Sequence, residues 1–168
     1  MKFTQQKLLN LIALICLASV AFALFSQHVL GMLPCAWCVL QRLIFIVIAI
    51  ICLLVNFSSS IIYQKLLTLV AAGLSIGGIT AAWYQYSVAS LSFSCDMTFA
   101  DVFMSRQTGL DSAIPWLFGI YATCMDAAVD LFCVEYALWA LLLFAALSIV
   151  LLLSLFKKSN GTGQANTI

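Results

Sequence analysis

Four long stretches of the chain contain no charged residue. They cover residues 8–27, 43–64, 66–95 and 136–156. A helix of about 20 apolar residues crosses the roughly 30 Å hydrocarbon core of a bilayer and satisfies its own backbone hydrogen bonds there. The pattern therefore predicts four transmembrane helices, at about residues 8–27, 43–62, 66–86 and 136–156.

The polar segments between these stretches predict how the helices are connected. A short polar turn at residues 56–60 suits two antiparallel neighbours in a bundle. We expect an all-α membrane protein, a four-helix up-and-down bundle that forms a single domain over residues 1–168. Two loops, residues 28–42 and 87–135, are expected at one end of the bundle, and residues 159–168 are expected to form a disordered tail.

The charged residues predict the orientation of the bundle. All six acidic residues fall in the two-loop end, whereas the other end carries five lysines: Lys2, Lys7, Lys65, Lys157 and Lys158. Cytoplasmic segments are enriched in Lys and Arg, so both termini are expected in the cytoplasm and both loops in the periplasm. The expected location is the inner membrane of a Gram-negative bacterium.

Composition supports a membrane protein and excludes other classes. The chain is 65% hydrophobic and 8% charged, with a mean hydropathy of +1.15 and a net charge of +1. A water-soluble fold could not cover that apolar surface, and no basic patch suggests nucleic-acid binding. The first stretch also fits a signal peptide, with small residues around Ala21-Phe22-Ala23. Cleavage there would leave three spans and would place the later lysines on inconsistent sides of the membrane. We therefore expect the first helix to be retained.

The chain has seven cysteines, in different environments. They are Cys16, Cys35, Cys38, Cys52, Cys95, Cys124 and Cys133. Cys16 and Cys52 lie inside apolar helices, where a thiol behaves as a small hydrophobe. The others lie on the predicted periplasmic side, where thiols tend to pair. Cys133 leaves an odd thiol there; we expect it to pack, but it could replace Cys124 as a disulfide partner.

The strongest local motif is Pro34-Cys35-Ala36-Trp37-Cys38, immediately before the second helix. Proline suits the first turn of a helix, so both cysteines are expected near the positive end of the helix dipole, which stabilises a thiolate. Arg42 follows Cys38 by one turn. Its guanidinium could stabilise that thiolate or, with Gln41, hydrogen-bond a carbonyl oxygen of a bound cofactor; the alternative is an arginine reaching the headgroups.

Other chemistries are less well served. Cys35 and Cys38 could form half of a zinc site with Cys95 and Cys124, but those two lack the close spacing of a zinc motif, and no metal is expected. His28 is the only histidine, which disfavours hydrolytic chemistry and suggests an interfacial residue. One thiol pair at a helix end and one in a loop instead suggest an electron relay to an acceptor dissolved in the bilayer.

The ordered combination of motifs resembles the disulfide bond formation protein B family. The resemblance runs from the first to the fourth helix and rests on residues 25–29, Pro34-Cys35-x-x-Cys38, Gln41-Arg42, Cys95-Asp96, Cys124 and residues 130–139. The family reoxidises DsbA, a periplasmic thioredoxin-fold oxidase, and passes the electrons to a membrane quinone, here ubiquinone or menaquinone.

The resemblance implies a role for each site residue. Cys35 and Cys38 would form the disulfide next to the quinone, and Cys95 and Cys124 would form the loop disulfide. Reduced DsbA would attack Cys95, the freed Cys124 would exchange with Cys35, and Cys38 would donate to the quinone held by Arg42.

Three departures from the family pattern stand out. The outer end of the third helix, where a histidine is common, reads Trp83-Tyr84-Gln85-Tyr86; Gln41 replaces a frequent acidic residue; and Cys133 stands where glycine is common. A vitamin K epoxide reductase-like enzyme is the alternative within the same chemistry, although its redox pair lies late in the chain. A structural or metal-binding four-span protein is the alternative outside it. The quinone, the particular client and the resting disulfide connectivity stay open.

Overall fold

The computed structural model describes residues 2–57, 60–89, 98–128, 130–131 and 134–156. Its helices are α1 (Lys2–His28), α2 (Ala36–Leu54), α3 (Ile61–Ser87), α4 (Phe99–Asp101), α5 (Leu110–Ala113), α6 (Pro115–Phe118) and α7 (Tyr136–Phe156). Four of them, α1, α2, α3 and α7, are long and apolar enough to cross a membrane. The predicted all-α bundle with four spans is therefore confirmed.

The four long helices pack in chain order around an apolar core. Extensive contacts join α1 to α2, α2 to α3 and α3 to α7. The fully buried side chains of this core include Leu9, Cys16, Ile48, Cys52, Phe144 and Leu151. Because Leu9 and Cys16 belong to α1, the first helix contributes to the core of the bundle.

The boundaries of α2 differ from the predicted ones in a way that matters for the site. α2 begins at Ala36 rather than at residue 43, so residues predicted to lie in a loop form its first turns. Counting uncharged residues misses this start because the count stops at Arg42, although this arginine is buried and hydrogen-bonded within the bundle. A 3₁₀ turn, Val55–Phe57, follows α2.

The turn between α2 and α3 is fixed by a polar contact with α1. The Asn56 side chain donates to Asn10 Oδ1 at 2.7 Å. α3 then begins at Ile61. We call this end of the bundle the Asn56 end and the opposite one the Cys35 end. The predicted tail, residues 159–168, lies outside the described residues.

The segment between α3 and α7 covers the Cys35 end of α2. A π-helical turn, Val102–Gln107, continues α4, and Gly109 takes the left-handed conformation (φ +62°) that lets the chain turn into α5. Ala100, Met104 and Phe118 are buried against Cys35 and Val39 at the start of α2. In the apolar stretch around α6, Trp116 points outward, with 59% of its surface exposed.

A short antiparallel pair leads into the last helix. Strands β1 (Asp130–Leu131) and β2 (Val134–Glu135) pair with Asp130 opposite Glu135. α7 starts at Tyr136 directly after β2. Tyr136 is thereby placed at the Cys35 end, close to α1 and α2.

Candidate redox site at the Cys35 end

The Cys-x-x-Cys motif forms the N-terminal end of α2. Cys35 is the N-cap residue, with an extended backbone (φ −89°, ψ 173°), and its carbonyl accepts from Val39 N at 3.1 Å. Cys38 lies one turn into the helix, so both sulfurs fall on the same side. Their Sγ atoms are 3.1 Å apart and both are free thiols. The pair is a dithiol whose sulfurs are close enough to form a disulfide with a small movement.

The two thiols face different surroundings. Cys35 is fully buried (0% exposed) and packs against the segment that covers the bundle end. Its hydrogen bond to Cys38 and its burial raise the pKa of the Cys35 thiol well above its ordinary value. Cys38 is only half-buried and lines a cavity. The arrangement favours Cys35 as the protonated partner and Cys38 as the sulfur that faces a small molecule.

Arg42 is buried one turn beyond Cys38. Its guanidinium donates to Gln27 Oε1 at 2.6 Å, to the Leu117 carbonyl at 3.2 Å and to the Ala23 carbonyl at 3.4 Å. All three acceptors are neutral, so the positive charge is not cancelled by them. The charge also interacts electrostatically with Cys38. Arg42 thus supplies a fixed positive charge beside the dithiol.

A glutamine pair connects α2 and α3 at the same level. Gln85 Nε2 donates to Cys38 Sγ at 3.1 Å, and Gln41 Nε2 donates to Gln85 Oε1 at 2.7 Å. Both side chains are buried. Gln41 therefore reaches the site through Gln85 as well as by lining the cavity.

The cavity lies between α1 and α7, with α2 as its back wall, and has a volume of about 730 Å³. Its polar lining is concentrated at the Cys35 end, where Cys38, Gln41, Arg42 and Tyr136 meet. Deeper in the bundle it is bordered by apolar residues: Ile15, Ala18, Phe45, Leu142, Leu143 and Ala146. Its rim includes Phe22 and Leu142, which are exposed on the helix surface that would meet lipid.

These features fit an amphipathic ring compound with an apolar tail. The volume lies within the usual range for small-molecule pockets, and a few polar groups at one end of an apolar cavity fix the orientation of a ligand. Arg42 and Gln41 could hydrogen-bond the oxygens of a quinone ring near Cys38, while the apolar lining would hold its isoprenoid chain. The residues present therefore fit a membrane quinone.

The segment that carries Cys124 is docked onto the start of α2. The Pro34 carbonyl accepts from Tyr121 N at 3.1 Å and from Ala122 N at 3.3 Å. Cys124 is disulfide-bonded, and it is buried in the same cluster as Cys35. These backbone bonds attach the residues that precede Cys124 to the residue that precedes Cys35.

The structure brings together most of the predicted site. Cys35, Cys38, Gln41 and Arg42 share the start of α2, and Cys124 packs nearby. Cys95 and Cys133 lie outside the described residues. Cys16 and Cys52 are buried in the core between α1 and α2, as expected for packing residues. His28 lies at the surface, where Nε2 is 3.1 Å from the Trp116 carbonyl.

Three contributors were missed by the sequence analysis: Gln27, Gln85 and Tyr136. Each is a polar residue near the end of an apolar helix, and intramembrane polar residues usually face a partner or a cavity. That signal was available for Gln27 and Gln85. Their partners lie on other helices, however, so the signal alone could not connect them to Cys38 or Arg42.

The fold and the site together define a class: a four-span membrane protein that carries a Cys-x-x-Cys dithiol beside a cavity between its helices. Residues 5–154 match the family model described as "Disulfide bond formation protein DsbB". The chain therefore belongs to the DsbB family and is a disulfide-forming oxidoreductase of the membrane.

Named relatives agree over nearly the full length. Disulfide bond formation protein B of Verminephrobacter eiseniae is 34% identical over 165 residues, which cover 96% of this chain and 92% of the relative. The protein of the same name from Herminiimonas arsenicoxydans is 30% identical over 151 residues, covering 89% and 94%. That from Polaromonas naphthalenivorans is 31% identical over 156 residues, covering 88% and 89%.

Proposed function

We propose that the chain reoxidises a DsbA-type periplasmic dithiol oxidase and passes two electrons to ubiquinone or menaquinone in the bacterial inner membrane. The observation that carries this proposal is the position of Cys38. Its sulfur lies at the polar end of an apolar cavity between helices, with Gln85 and Arg42 beside it. Such a sulfur can reach an acceptor that arrives from the bilayer.

The proposed orientation follows from the lysines. The terminal segments and the first turns of α3 carry five lysines: Lys2, Lys7, Lys65, Lys157 and Lys158. Lysine-rich segments stay in the cytoplasm, so the Cys35 end would face the periplasm. The dithiol would then be open to soluble periplasmic partners through the loop and to the membrane through the cavity. The whole chain, residues 1–168, would act as one domain.

The proposed relay starts in the loop. A thiolate of reduced DsbA attacks Cys95, which breaks the Cys95–Cys124 bond and frees the Cys124 thiolate. The second DsbA thiol then displaces Cys95, so DsbA leaves oxidised and both loop cysteines hold the two electrons. Docking of residues 121–122 on Pro34 supports the next step, because it keeps Cys124 near Cys35.

Exchange then moves the electrons inward. Cys124 attacks Cys35, which breaks the Cys35–Cys38 bond and leaves a thiolate at Cys38. Cys95 attacks Cys124, which restores the loop disulfide and returns Cys35 as a thiol. Its raised pKa keeps that proton on Cys35 at neutral pH, so the charge resides on Cys38. A nearby cation and hydrogen-bond donors stabilise such a thiolate.

A membrane quinone would be the final acceptor of the two electrons and, with two protons, would leave as quinol. Arg42 and Gln41 would orient its ring against Cys38, and re-formation of the Cys35–Cys38 disulfide would close the cycle. The energetics require a strong acceptor, because DsbA has a potential of about −120 mV and each 30 mV is worth about 1.4 kcal/mol in a two-electron couple.

The test is quinone reduction by the purified full-length chain on addition of reduced DsbA. We expect turnover by wild type, and its loss in Cys38→Ser and Cys95→Ser. Cys52→Ala is the matched control, because Cys52 is a buried thiol of α2 outside the relay, and it should turn over normally. Absence of quinone consumption by wild type, or normal turnover by Cys38→Ser, would overturn the proposal in favour of a structural or metal-binding role.

A further inference from the structure

Among the residues that the structure describes, Gln85 of α3 donates a hydrogen bond to Cys38 from a different helix. Gln85 is 3% exposed, and its Nε2 lies 3.1 Å from Cys38 Sγ. The guanidinium of Arg42, by contrast, is engaged by Gln27 and by the carbonyls of Ala23 and Leu117. Arg42 acts on Cys38 through space, whereas Gln85 contacts the sulfur.

The direction of the Gln85 amide is set by Gln41. An amide presents a donor at one end and an acceptor at the other, and only the donor end stabilises a thiolate. Gln41 Nε2 donates to Gln85 Oε1 at 2.7 Å, so the acceptor end is occupied. Reversing the amide would lose this bond and turn an oxygen towards the sulfur. Leaving a buried amide oxygen without a partner is unfavourable, so the observed direction is favoured.

Packing around the pair holds the two helices at this spacing. The rings of Trp37 and Tyr84, the residues that precede Cys38 and Gln85, lie with their centroids 4.8 Å apart. Ala81 and Ala82 of α3 are buried one turn away. Small side chains there let α3 approach α2 closely enough for the glutamine to reach the sulfur.

We propose that Gln85 is a catalytic residue that stabilises the Cys38 thiolate by direct contact, and that Gln41 is a positioning residue that acts through it by fixing the direction of its amide. The identity of Cys38 as the electron-donating sulfur rests on the proposed function. A donor to the thiolate stabilises the reduced dithiol relative to the disulfide, which makes the pair more oxidising. The amide of Gln85 does not titrate near neutral pH, so its ability to donate to the thiolate should not change with pH.

The experiment measures the redox equilibrium of the Cys35–Cys38 pair without quinone or DsbA. Full-length protein in detergent is equilibrated with glutathione buffers, alkylated, and the Cys35–Cys38 peptide is quantified by mass spectrometry. Gln85→Leu should shift the equilibrium towards the disulfide by about tenfold, the loss of one hydrogen bond to a charged group, equivalent to about 30 mV.

Gln64→Leu is the matched control. Gln64 is a buried glutamine on the same helix at the Asn56 end, about 30 Å away by helical rise, and its replacement should leave the equilibrium unchanged. Gln41→Leu should shift the equilibrium on its own but add nothing in the Gln85→Leu background. That non-additivity is expected only if Gln41 acts through Gln85.

A wild-type equilibrium in a folded Gln85→Leu protein would overturn the proposal, and an additive effect of Gln41→Leu would overturn the role given to Gln41. If Gln85→Leu does not fold, Gln85→Asn keeps a polar amide that is one methylene too short, and the same shift is expected. A wild-type value in that variant also counts against the proposal. Failure of the proposed function would appear separately, as absent quinone reduction by wild type.

Discussion

Phe45 of α2 and Phe144 of α7 stack almost parallel, with ring centroids 4.0 Å apart and an interplanar angle of 3°. Phe144 is fully buried and Phe45 forms part of the cavity wall. Ser75 of α3 donates to the Phe144 carbonyl at 2.8 Å, which ties the backbone of α7 to α3. A change in how α3 packs against α7 would therefore move Phe144, and through the stack it would move Phe45 in the cavity wall.

Gly78 makes room for this stack. A Cβ at position 78 would lie 2.5 Å from the Phe144 ring, closer than atoms can approach. We expect Gly78→Ala to push Phe144 towards Phe45 and to destabilise the bundle by about 1–3 kcal/mol, the usual effect of overpacking. Thermal unfolding in detergent, followed by circular dichroism, would show a lower Tm.

Gly77 is the matched control on the same helix. A Cβ at position 77 would meet nothing within 4 Å, so Gly77→Ala should keep or slightly raise the Tm. Equal Tm values for the two variants would contradict the role given to Gly78. We also expect Gly78→Ala to raise the KM for quinone, because Phe45 lines the cavity, whereas Gly77→Ala should not.

Arg42 gives a prediction about the electron acceptor. Arg42→Met removes the charge beside Cys38 and a donor at the polar end of the cavity. We expect the KM for ubiquinone to rise about tenfold or more, the effect of one hydrogen bond from a charged group. The rate at which reduced DsbA opens the loop disulfide should not change, because the loop reaction precedes the cavity step.

Two further variants sharpen this test. Gln27→Leu removes the 2.6 Å acceptor that orients the guanidinium, so it should raise the KM by a smaller factor than Arg42→Met. Arg106→Met is the control, because Arg106 is an exposed arginine at the end of the π-helical turn. An unchanged KM in Arg42→Met would show that the arginine does not hold the quinone.

Much of this architecture was predictable from sequence for a simple physical reason. An α-helix that crosses a bilayer needs a long run of uncharged residues, so the number of helical spans follows from where charges are absent. Local spacing also places Cys35, Cys38 and Arg42 together, because residues three and four apart share one face of a helix. The start of α2 was placed too late, since polar residues inside the bundle were counted as loop.

The remainder of the site depends on contacts between helices. Gln85 is 47 positions from the sulfur it contacts, and Gln27 is 15 positions from the guanidinium it accepts from. No periodicity within α1 or α3 specifies which helix each will face. The cavity likewise arises because α1 and α7 flank α2 without closing over it, a packing outcome that hydropathy does not encode.

The hydrogen bonds that dock the loop on Pro34 lead to a prediction about the transfer of electrons from the loop thiols to the Cys35–Cys38 disulfide. Ala122→Pro removes the N–H that donates to the Pro34 carbonyl at 3.3 Å. We expect transfer from the loop thiols to the Cys35–Cys38 disulfide to slow by up to about tenfold, since a neutral hydrogen bond is worth about 0.5–1.5 kcal/mol. Rapid quenching with an alkylating agent after addition of reduced DsbA would resolve this step. Ala122→Gly keeps the N–H and should transfer at nearly the wild-type rate; equal rates for both variants would rule out a role for the docking bond.

The protonated state of Cys35 predicts how the stability of the reduced protein depends on pH. Its hydrogen bond to Cys38 and its burial hold the pKa of the Cys35 thiol well above the ordinary value of 9.0. The folded state therefore keeps this proton at a pH where the unfolded chain loses it. This contribution to stability is fully present below about pH 9 and declines as the pH rises further, by up to about 1.4 kcal/mol per pH unit.

The measurement is the Tm of the full-length chain in a strong reductant, from about pH 7 to about pH 10. Wild type should lose stability above about pH 9 more steeply than Cys35→Ala, which lacks the thiol. The oxidised wild type is the second control, because a cysteine in a disulfide does not titrate, so its curve should lack the decline that the Cys35 thiol causes. If reduced wild type and Cys35→Ala decline in parallel, the proton is not held by Cys35. The asymmetry that leaves the charge on Cys38 would then need another source.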